Sequence, residues 1–366
     1  MDMPINYFLG ANTSVGFVGY AAETYDADEG WRMYLIKSGP GTGKSSLMRK
    51  VYERMAALGV EGEVFSCSSD PSSLDGVRFP TLKMGILDAT APHVVEPQFW
   101  GAVEQLVPLS ICADEEALYA KASDIVSLTR QNRALHARVR QYLQAASAMM
   151  KENRRIEEAA VDVDKVRRLA ARVARQEFGT QAGDGRVTHR FLSAVTPQGV
   201  LTQYGTLQAL CPRIYTIEDE EGAASRLFLE EILRHAIASG TDAIVCPCPL
   251  SPHDGVEHLL FPSIGVGFTT SNEIHKADFP VYRRIHATRF TEAELMRMRR
   301  QRMSFNRRAV RELIAQASTV AAEAKAIHDA MEAYSVTAMD WEKAREMGEA
   351  VIAKFEVAAR KTGYSV

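Results

Sequence analysis

The sequence predicts an α/β protein built twice over: a mainly parallel sheet core followed by a long helical hairpin arm, then the same pair again. Three observations carry this expectation. Four short segments of the first half recur in the second half in the same order. Two long stretches, one per half, are nearly free of glycine and proline and carry apolar residues at helical spacing. A short apolar run in the first half leads through a glycine-rich loop into a helix, the element order of an α/β unit. The length of 366 residues agrees, since at about 150 residues per domain it accommodates about two.

Along the chain, Phe8-Leu9-Gly10-Ala11-Asn12-Thr13-Ser14-Val15-Gly16 recurs as Phe191-Leu192-Ser193-Ala194-Val195-Thr196-Pro197-Gln198-Gly199, sharing F-L-x-A-x-T-x-x-G. Arg32-Met33-Tyr34-Leu35-Ile36 is an apolar run bounded by polar residues, a buried-strand pattern, and recurs as Arg213-Ile214-Tyr215-Thr216-Ile217. Ser38 to Ser46 is the glycine loop, and Leu47 to Met55 reads as a helix. Glu63 to Cys67 is a second strand candidate. Cys67 through Asp75-Gly76-Val77 matches Cys246 through Asp254-Gly255-Val256, and Phe79-Pro80 matches Phe261-Pro262. Leu82 to Asp88 reads as an apolar strand ending in an acid. Asp114 to Phe178 is helical, with Leu118, Ala122, Ile125 and Leu128 on one stripe; Thr291 to Lys361 repeats the pattern with Val310, Leu313, Ala317 and Val320. Each stretch exceeds one ordinary helix and is expected to fold back as an antiparallel hairpin. The breaker-rich Gly179 to Gly185 marks the linker. The expected segments are thus a core over 1–112, an arm over 113–180, a second core over 186–290 and an arm over 291–366. The two cores either pack as an internal pseudo-dimer or merely touch.

Composition bounds the function. With 46% hydrophobic and 24% charged residues the chain is globular in character. Forty-three basic against 46 acidic residues, net charge −3, exclude a globally basic nucleic-acid binder, though not a local basic patch. The first residues lack a basic-then-apolar leader pattern, and no apolar stretch reaches membrane-span length, so a cytoplasmic protein without membrane association is expected. The five cysteines, Cys67, Cys112, Cys211, Cys246 and Cys248, show no paired CxxC spacing and read as reduced thiols. Cys246 and Cys248 with His253 or His258 are a minor candidate for part of a zinc site.

The glycine loop carries the strongest chemical signal. Strand, loop, G-K-S and helix in succession are the context of a P-loop. In Gly39-Pro40-Gly41-Thr42-Gly43-Lys44-Ser45-Ser46 the glycines let the backbone wrap close to phosphates, and successive N–H groups with the helix N-terminus face the anion. Lys44 is expected to reach the β- and γ-phosphates of ATP and Ser45 to ligate Mg²⁺. The motif's first glycine is Ser38 here, a small departure. Asp88, ending its strand, is the candidate second Mg²⁺ ligand; the competing reading is a loop-capping aspartate. Ala89 follows it, where many motor ATPases place a glutamate. Asp70 is a candidate catalytic base, metal ligand or substrate contact beside Lys44 and Asp88, as is Asp75, although Ser68-Ser69-Asp70-Pro71-Ser72 equally suits an Asx-turn. His93 is a candidate to orient water or phosphate, with a structural histidine the commoner case.

The second half has lost this chemistry. Counted from the shared strand, Gly43 falls on Ala224, Lys44 on Ser225 and Ser45 on Arg226, and Glu218 to Glu221 place four acids where phosphates would lie. No second triphosphate site is expected. Arg297, Arg299, Arg300, Arg302, Arg307, Arg308 and Arg311, preceded by Arg283, Arg284 and Arg289, form a basic cluster. A solvated face paired with acids is the favoured reading; an arginine supplied to the first site or a nucleic-acid contact are the others.

Tyr7-Phe8-Leu9 with Asn12-Thr13, Gly39 to Met48, Cys67-Ser68-Ser69-Asp70-Pro71 with Leu74-Asp75-Gly76-Val77, and Asp88-Ala89-Thr90-Ala91-Pro92-His93 together resemble a poorly characterised family of bacterial tandem P-loop proteins, labelled ATPase or nucleotide kinase. The resemblance covers essentially the whole chain and implies ATP binding at Gly39 to Ser46. The expected function is an ATP-binding switch with slow Mg²⁺-dependent hydrolysis that moves the helical arms, which engage a protein partner. The alternatives are a nucleotide or small-molecule kinase and a nucleic-acid or protein scaffold.

Overall fold

The computed structural model describes residues 5–179 and 182–364. Thr180 and Gln181 of the expected linker, and Met1 to Pro4 of the N-terminal segment, lie outside the described residues. The architecture is α/β, with two six-stranded mixed sheets dominated by parallel pairs and eight α-helices among the described residues.

In chain order the first half holds β1 (Ile5–Phe8), β2 (Gly10–Thr13), β3 (Gly16–Gly19), β4 (Arg32–Ile36), α1 (Lys44–Ala57), β5 (Glu63–Ser66), β6 (Leu74–Phe79), β7 (Met84–Asp88), β8 (Glu104–Val107), α2 (Glu115–Tyr119), α3 (Ala122–Glu158) and α4 (Val163–Phe178). The second holds β9 (Val187–His189), β10 (Ser193–Thr196), β11 (Gly199–Thr202), α5 (Tyr204–Leu210), β12 (Arg213–Glu218), α6 (Ala223–Ala238), β13 (Ala243–Pro247), β14 (Val256–Phe261), β15 (Val266–Ser271), β16 (Arg283–His286), α7 (Ala293–Ala338) and α8 (Trp341–Lys361).

The first sheet runs β1-β5-β6-β7-β4-β8, and the second runs β9-β13-β14-β15-β12-β16. Read in that order, the pairs are parallel, antiparallel, antiparallel, parallel, parallel in both. The hairpins β2-β3 and β10-β11 match as well, each with a threonine hydroxyl donating across the turn, Thr13 to Gly16 O and Thr196 to Gly199 O.

This shared topology fixes which residues correspond, and it corrects two alignments. β5 and β13 carry a bulge at the same place, after the pairs Phe65↔Gly76 and Cys246↔His258. Phe65 therefore matches Cys246, so the counterpart of Cys67 is Cys248 and that of Asp75 is Glu257, not Cys246 and Asp254. Backbone bonding agrees: Cys67 N–H donates to Ser73 O as Cys248 N–H donates to Gly255 O. Helix α1 starts from Gly43 (φ +87°) and α6 from Gly222 (φ +87°), a left-handed turn that favours glycine. Gly222 is thus the counterpart of Gly43, and Lys44 and Ser45 correspond to Ala223 and Ala224 rather than to Ser225 and Arg226.

The chain divides into two compact units that do not follow its two halves: one holds Ala11–Val18 and Val139–Ser318, the other the described residues of 2–10, 19–138 and 319–366. Each sheet is covered by the other half's helices. In the first sheet's unit, Leu47, Met48, Val51 and Met55 of α1 share a core with Val351, Ile352, Phe355 and Ala359 of α8. Phe355 is wholly buried, its ring 5.3 Å from Tyr34 and 5.8 Å from Phe79. In the second sheet's unit, Val166, Leu169, Ala170 and Val173 of α4 pack with Phe228, Leu229 and Ile232 of α6. Short backbone pairings fix both exchanges. Asp340 N–H donates to Cys112 O and Asp114 N–H to Ala338 O; Asp162 N–H donates to Phe290 O and Glu292 N–H to Ala160 O. Asp162 and Asp340 also cap α4 and α8 through their side chains. The segments expected as self-contained core and arm are therefore interleaved. Amphipathic periodicity shows that a helix has an apolar face but not which sheet that face meets. No helix of the described residues is long and apolar enough to cross a membrane.

Candidate functional site

The loop Ser38 to Ser46 joins β4 to α1. Its two ends are fixed by β7, the neighbour of β4, with Ile36 opposite Asp88. Ala89 N–H donates to Ile36 O (3.0 Å). Thr90 Oγ1 donates to Ser38 O (3.0 Å) and accepts from Ser38 N–H (3.3 Å), and Thr90 N–H donates to Asp88 Oδ1 (2.8 Å). Asp88 is held in this way beside Lys44, whose Nζ lies 3.6 Å from Oδ2. The same ammonium donates to Gly39 O (2.7 Å) and Ser38 O (3.2 Å), so Lys44 reaches across the loop. Thr42 Oγ1 donates to Gly39 O (3.0 Å), and Ser45 Oγ accepts from Leu74 N–H (3.0 Å).

Gly41 and Gly43 have φ of +71° and +87°. Among the described residues no hydrogen bond is made by the N–H groups of Gly41, Thr42, Gly43 and Lys44, and α1 has no side-chain cap. These donors converge at a helix N-terminus, whose partial positive charge adds to that of Lys44. The arrangement suits a polyanion, and Ser45 and Asp88 carry hard oxygens that could hold a divalent cation. Helices α7 and α8 back the loop closely. A Cβ built on Gly41 would sit 2.7 Å from Glu332 O, and one on Gly43 would sit 3.2 Å from the Trp341 ring.

Asp70 takes the Asx-turn that its sequence context equally suited. Its Oδ1 accepts from Ser72 N–H (3.2 Å) and Ser72 Oγ (2.7 Å), its Oδ2 from Ser73 Oγ (3.0 Å), and Lys325 Nζ lies 3.7 Å away. Burial alone would raise its carboxyl; the serine hydrogen bonds and Lys325 hold it below the usual range. It closes an Asx-turn. Asp75 and His93 meet as a buried pair, with His93 Nε2 3.0 Å from Asp75 Oδ2. Burial pushes the imidazole down, but the Asp75 carboxylate by charge and hydrogen bond, with Asp88 adding, pushes it up overall. Lys44 acts on His93 in the opposite sense, which places the dyad within electrostatic reach of the loop. The Cys67 thiol completes the cluster and stays neutral: burial first, then Asp75, pushes it far up. Thr90, Glu332 and Trp341 carried no recognisable sequence signal, because each acts through backbone contacts or from a distant segment.

The corresponding loop of the second half is filled from within. Asp219 Oδ1 accepts from Glu221 N–H (3.3 Å) and Gly222 N–H (3.0 Å), and Oδ2 from Ser225 N–H (2.7 Å). Glu157 Oε2 accepts from Ala223 N–H (2.9 Å). Burial, then the charge of Asp219, pushes the Glu157 carboxyl up to about 9, so it holds a proton at neutral pH and hydrogen-bonds Asp219. Of the four acids expected there, only Asp219 takes the phosphate position. Glu218 pairs with Arg284 and His286, Glu220 accepts from Glu273 N–H, and Glu221 pairs with Arg307. Thr270, not an acid, corresponds to Asp88, since Leu87 and Thr269 share one register position. Within the arginine cluster, Arg297, Arg302, Arg307 and Arg311 pair with Glu294, Glu152, Glu221 and Glu273. No family model, curated protein or solved structure matches the chain.

Proposed function

We propose that the chain is a tandem P-loop NTPase with one working site, binding ATP with Mg²⁺ at Ser38 to Ser46 and hydrolysing it slowly. The observation that supports this most is the contrast between the two loops. The donors that Asp219 and Glu157 occupy in the second are left to an external anion in the first. Lys44, released from Ser38 O and Gly39 O, would meet the β- and γ-phosphates, and Ser45 with Asp88 would hold Mg²⁺. His93, oriented by Asp75, would take the proton of the attacking water as the γ-phosphoryl leaves ADP. The close backing of Gly41 and Gly43 by Glu332 and Trp341 gives nucleotide-dependent loop movement a direct route into α7 and α8.

The test is calorimetric titration with a non-hydrolysable ATP analogue and Mg²⁺. One site per chain is expected, abolished in Lys44→Ala and unchanged in Ser225→Ala. Two sites, or equal loss in both variants, would overturn the asymmetric reading. In a turnover assay, phosphate released to water supports an ATPase. ADP forming only when an acceptor alcohol or nucleotide is added, with the phosphoryl group recovered on that acceptor and no free phosphate, would assign a kinase instead.

A further inference from the structure

The second core keeps part of the first core's buried cluster and adds to it. Cys248, Glu257 and His275 stand where the first core has Cys67, Asp75 and His93: after the bulged strand, at the bulge opposite it, and five residues past the strand-end position shared by Asp88 and Thr270. Where the first core has Gly76, the second has His258. Glu257, His258 and His275 are all buried, and their ligand-type atoms lie within 4.8 Å of one another.

Ser193 Oγ, which donates to Glu257 Oε2, also lies 3.4 Å from His258 Nε2, and the direct histidine–carboxylate contacts are long. His258 Nε2 is 3.4 Å from Glu257 Oε2, and His275 Nδ1 is 3.5 Å from Glu257 Oε1. Both exceed a good N–H···O bond. Both are close to the edge of a tetrahedron drawn with bonds of about 2.0–2.1 Å, roughly 3.3 Å. The outer nitrogens are tied down. His258 Nδ1 meets Thr269 Oγ1 at 2.7 Å, and His275 Nε2 meets Thr270 Oγ1 at 2.8 Å. Thr269 Oγ1 donates its own proton to Thr270 O (3.1 Å), so it accepts from His258 Nδ1–H. In a neutral ring this leaves Nε2 as a lone pair facing the Glu257 carboxylate and a Ser193 hydroxyl whose proton is given to that carboxylate, an arrangement that a cation between them would satisfy. Ser193 Oγ donates to the same carboxylate, and the Cys248 thiol lies against it. Outer-shell hydroxyls orienting two histidines and a carboxylate are what a metal centre needs beyond its ligands. Cys248, Glu257 and His275 also line a small cavity with Met150 and Val195.

We propose that Glu257, His258 and His275, with Cys248 beside them, bind a divalent metal ion of the zinc class inside the second core. Two imidazoles, one carboxylate and a neighbouring sulfur favour zinc over magnesium or calcium, which prefer all-oxygen shells. The site is independent of nucleotide binding.

The test uses full-length protein stripped with a chelator, without nucleotide. Zn²⁺ is titrated against a chromophoric competitor, and Co²⁺ is added to a second sample to read its visible bands. The expected result is one Zn²⁺ per chain and tetrahedral cobalt bands. Both should be lost in His258→Gln and His275→Gln and retained in His253→Gln. Thr269→Val, of similar volume, should weaken zinc by about 10–100-fold through the outer shell. Should the histidine variants fail to fold, the wild-type titration decides alone. No stoichiometric zinc and no cobalt bands would overturn the proposal. Binding that survives both histidine variants would overturn it equally.

Discussion

Glu157 offers a direct test of how the second loop is filled. Its buried carboxyl accepts from Ala223 N–H and lies against Asp219, whose charge together with burial favours the protonated form of Glu157. A carboxyl raised by burial and by Asp219 is protonated in the folded chain and ionised in the unfolded chain across the neutral range. Folding therefore takes up about one proton between roughly pH 5 and pH 8, and the stabilisation it brings is complete below the unfolded value and lost as pH rises toward the folded one. One proton corresponds to about 1.4 kcal/mol per pH unit, or about 3 kcal/mol between pH 6 and pH 8. Because Asp219 shares the proton, this slope belongs to the pair. In Glu157→Gln the amide oxygen still accepts from Ala223 N–H and the amide nitrogen still donates to Asp219, with no proton to take up. The variant should thus be little changed at pH 5 and gain on the wild type by about 1.4 kcal/mol for each pH unit above it. The unit holding Val139–Ser318 contains none of the three tryptophans, so the assay is hydrogen exchange by mass spectrometry in urea, read on peptides of that segment at pH 6, 7 and 8. Parallel wild-type and Glu157→Gln curves across that range would refute the shared proton, and with it the account of why the second loop takes no external anion.

Two further outcomes are expected. In Asp75→Asn the imidazole of His93 loses the carboxylate that outweighs its burial, so its NMR titration midpoint should move from above the usual histidine range of about 6.5 to below it; an unmoved midpoint would remove Asp75 as its orienting partner. Phe355→Ala should destabilise the unit that carries the glycine loop by about 3–5 kcal/mol, read by fluorescence of Trp31, Trp100 and Trp341 in urea; a loss under about 1 kcal/mol would mean that α8 is not part of that core.

Much of the site was legible because its signals are local. Strand β4, the glycine loop, α1 and the strand-end Asp88 each follow from a few neighbouring residues whose chemistry dictates their conformation. The correspondence between halves was legible only in part. Six residues, 37–42, separate Ile36 from Gly43, but four, 218–221, separate Ile217 from Gly222. Counting from the shared strand therefore placed Ala223 and Ala224 two residues out of position. Asp254-Gly255-Val256 repeats the letters of Asp75-Gly76-Val77, yet the bulge pairs Glu257 where Asp75 stands. Letters align more readily than sheet registers, and a bulge shifts one without the other. Glu157, Glu332 and Trp341 reach their loops from helices far along the chain, and nothing in a local window places them there.

The two cores share one topology and have put it to opposite uses at the same backbone position. A helix N-terminus following a tight turn presents several unpaired donors, which acceptor side chains, water or a bound anion can satisfy. In the second core Asp219 does so from the loop itself and Glu157 from α3, which ties that helix to the start of α6 and leaves no electrostatic incentive for a phosphate. In the first core the same donors await an anion, and Lys44 and Asp88 lie beside them. The acid–histidine pair is present in both cores, but its setting differs. Next to Lys44 and Asp88 it would, on the proposed function, move a proton at a bound phosphate. Without them, and with His258 in place of a glycine, it would hold the proposed metal ion. Helix α8, which shares the first sheet's core with α1, comes from the end of the chain, and Glu332 and Trp341 stand against Gly41 and Gly43. On the proposed reading, a nucleotide at that loop would therefore act on the second half through the helices it lends, with no nucleotide needed in the second loop.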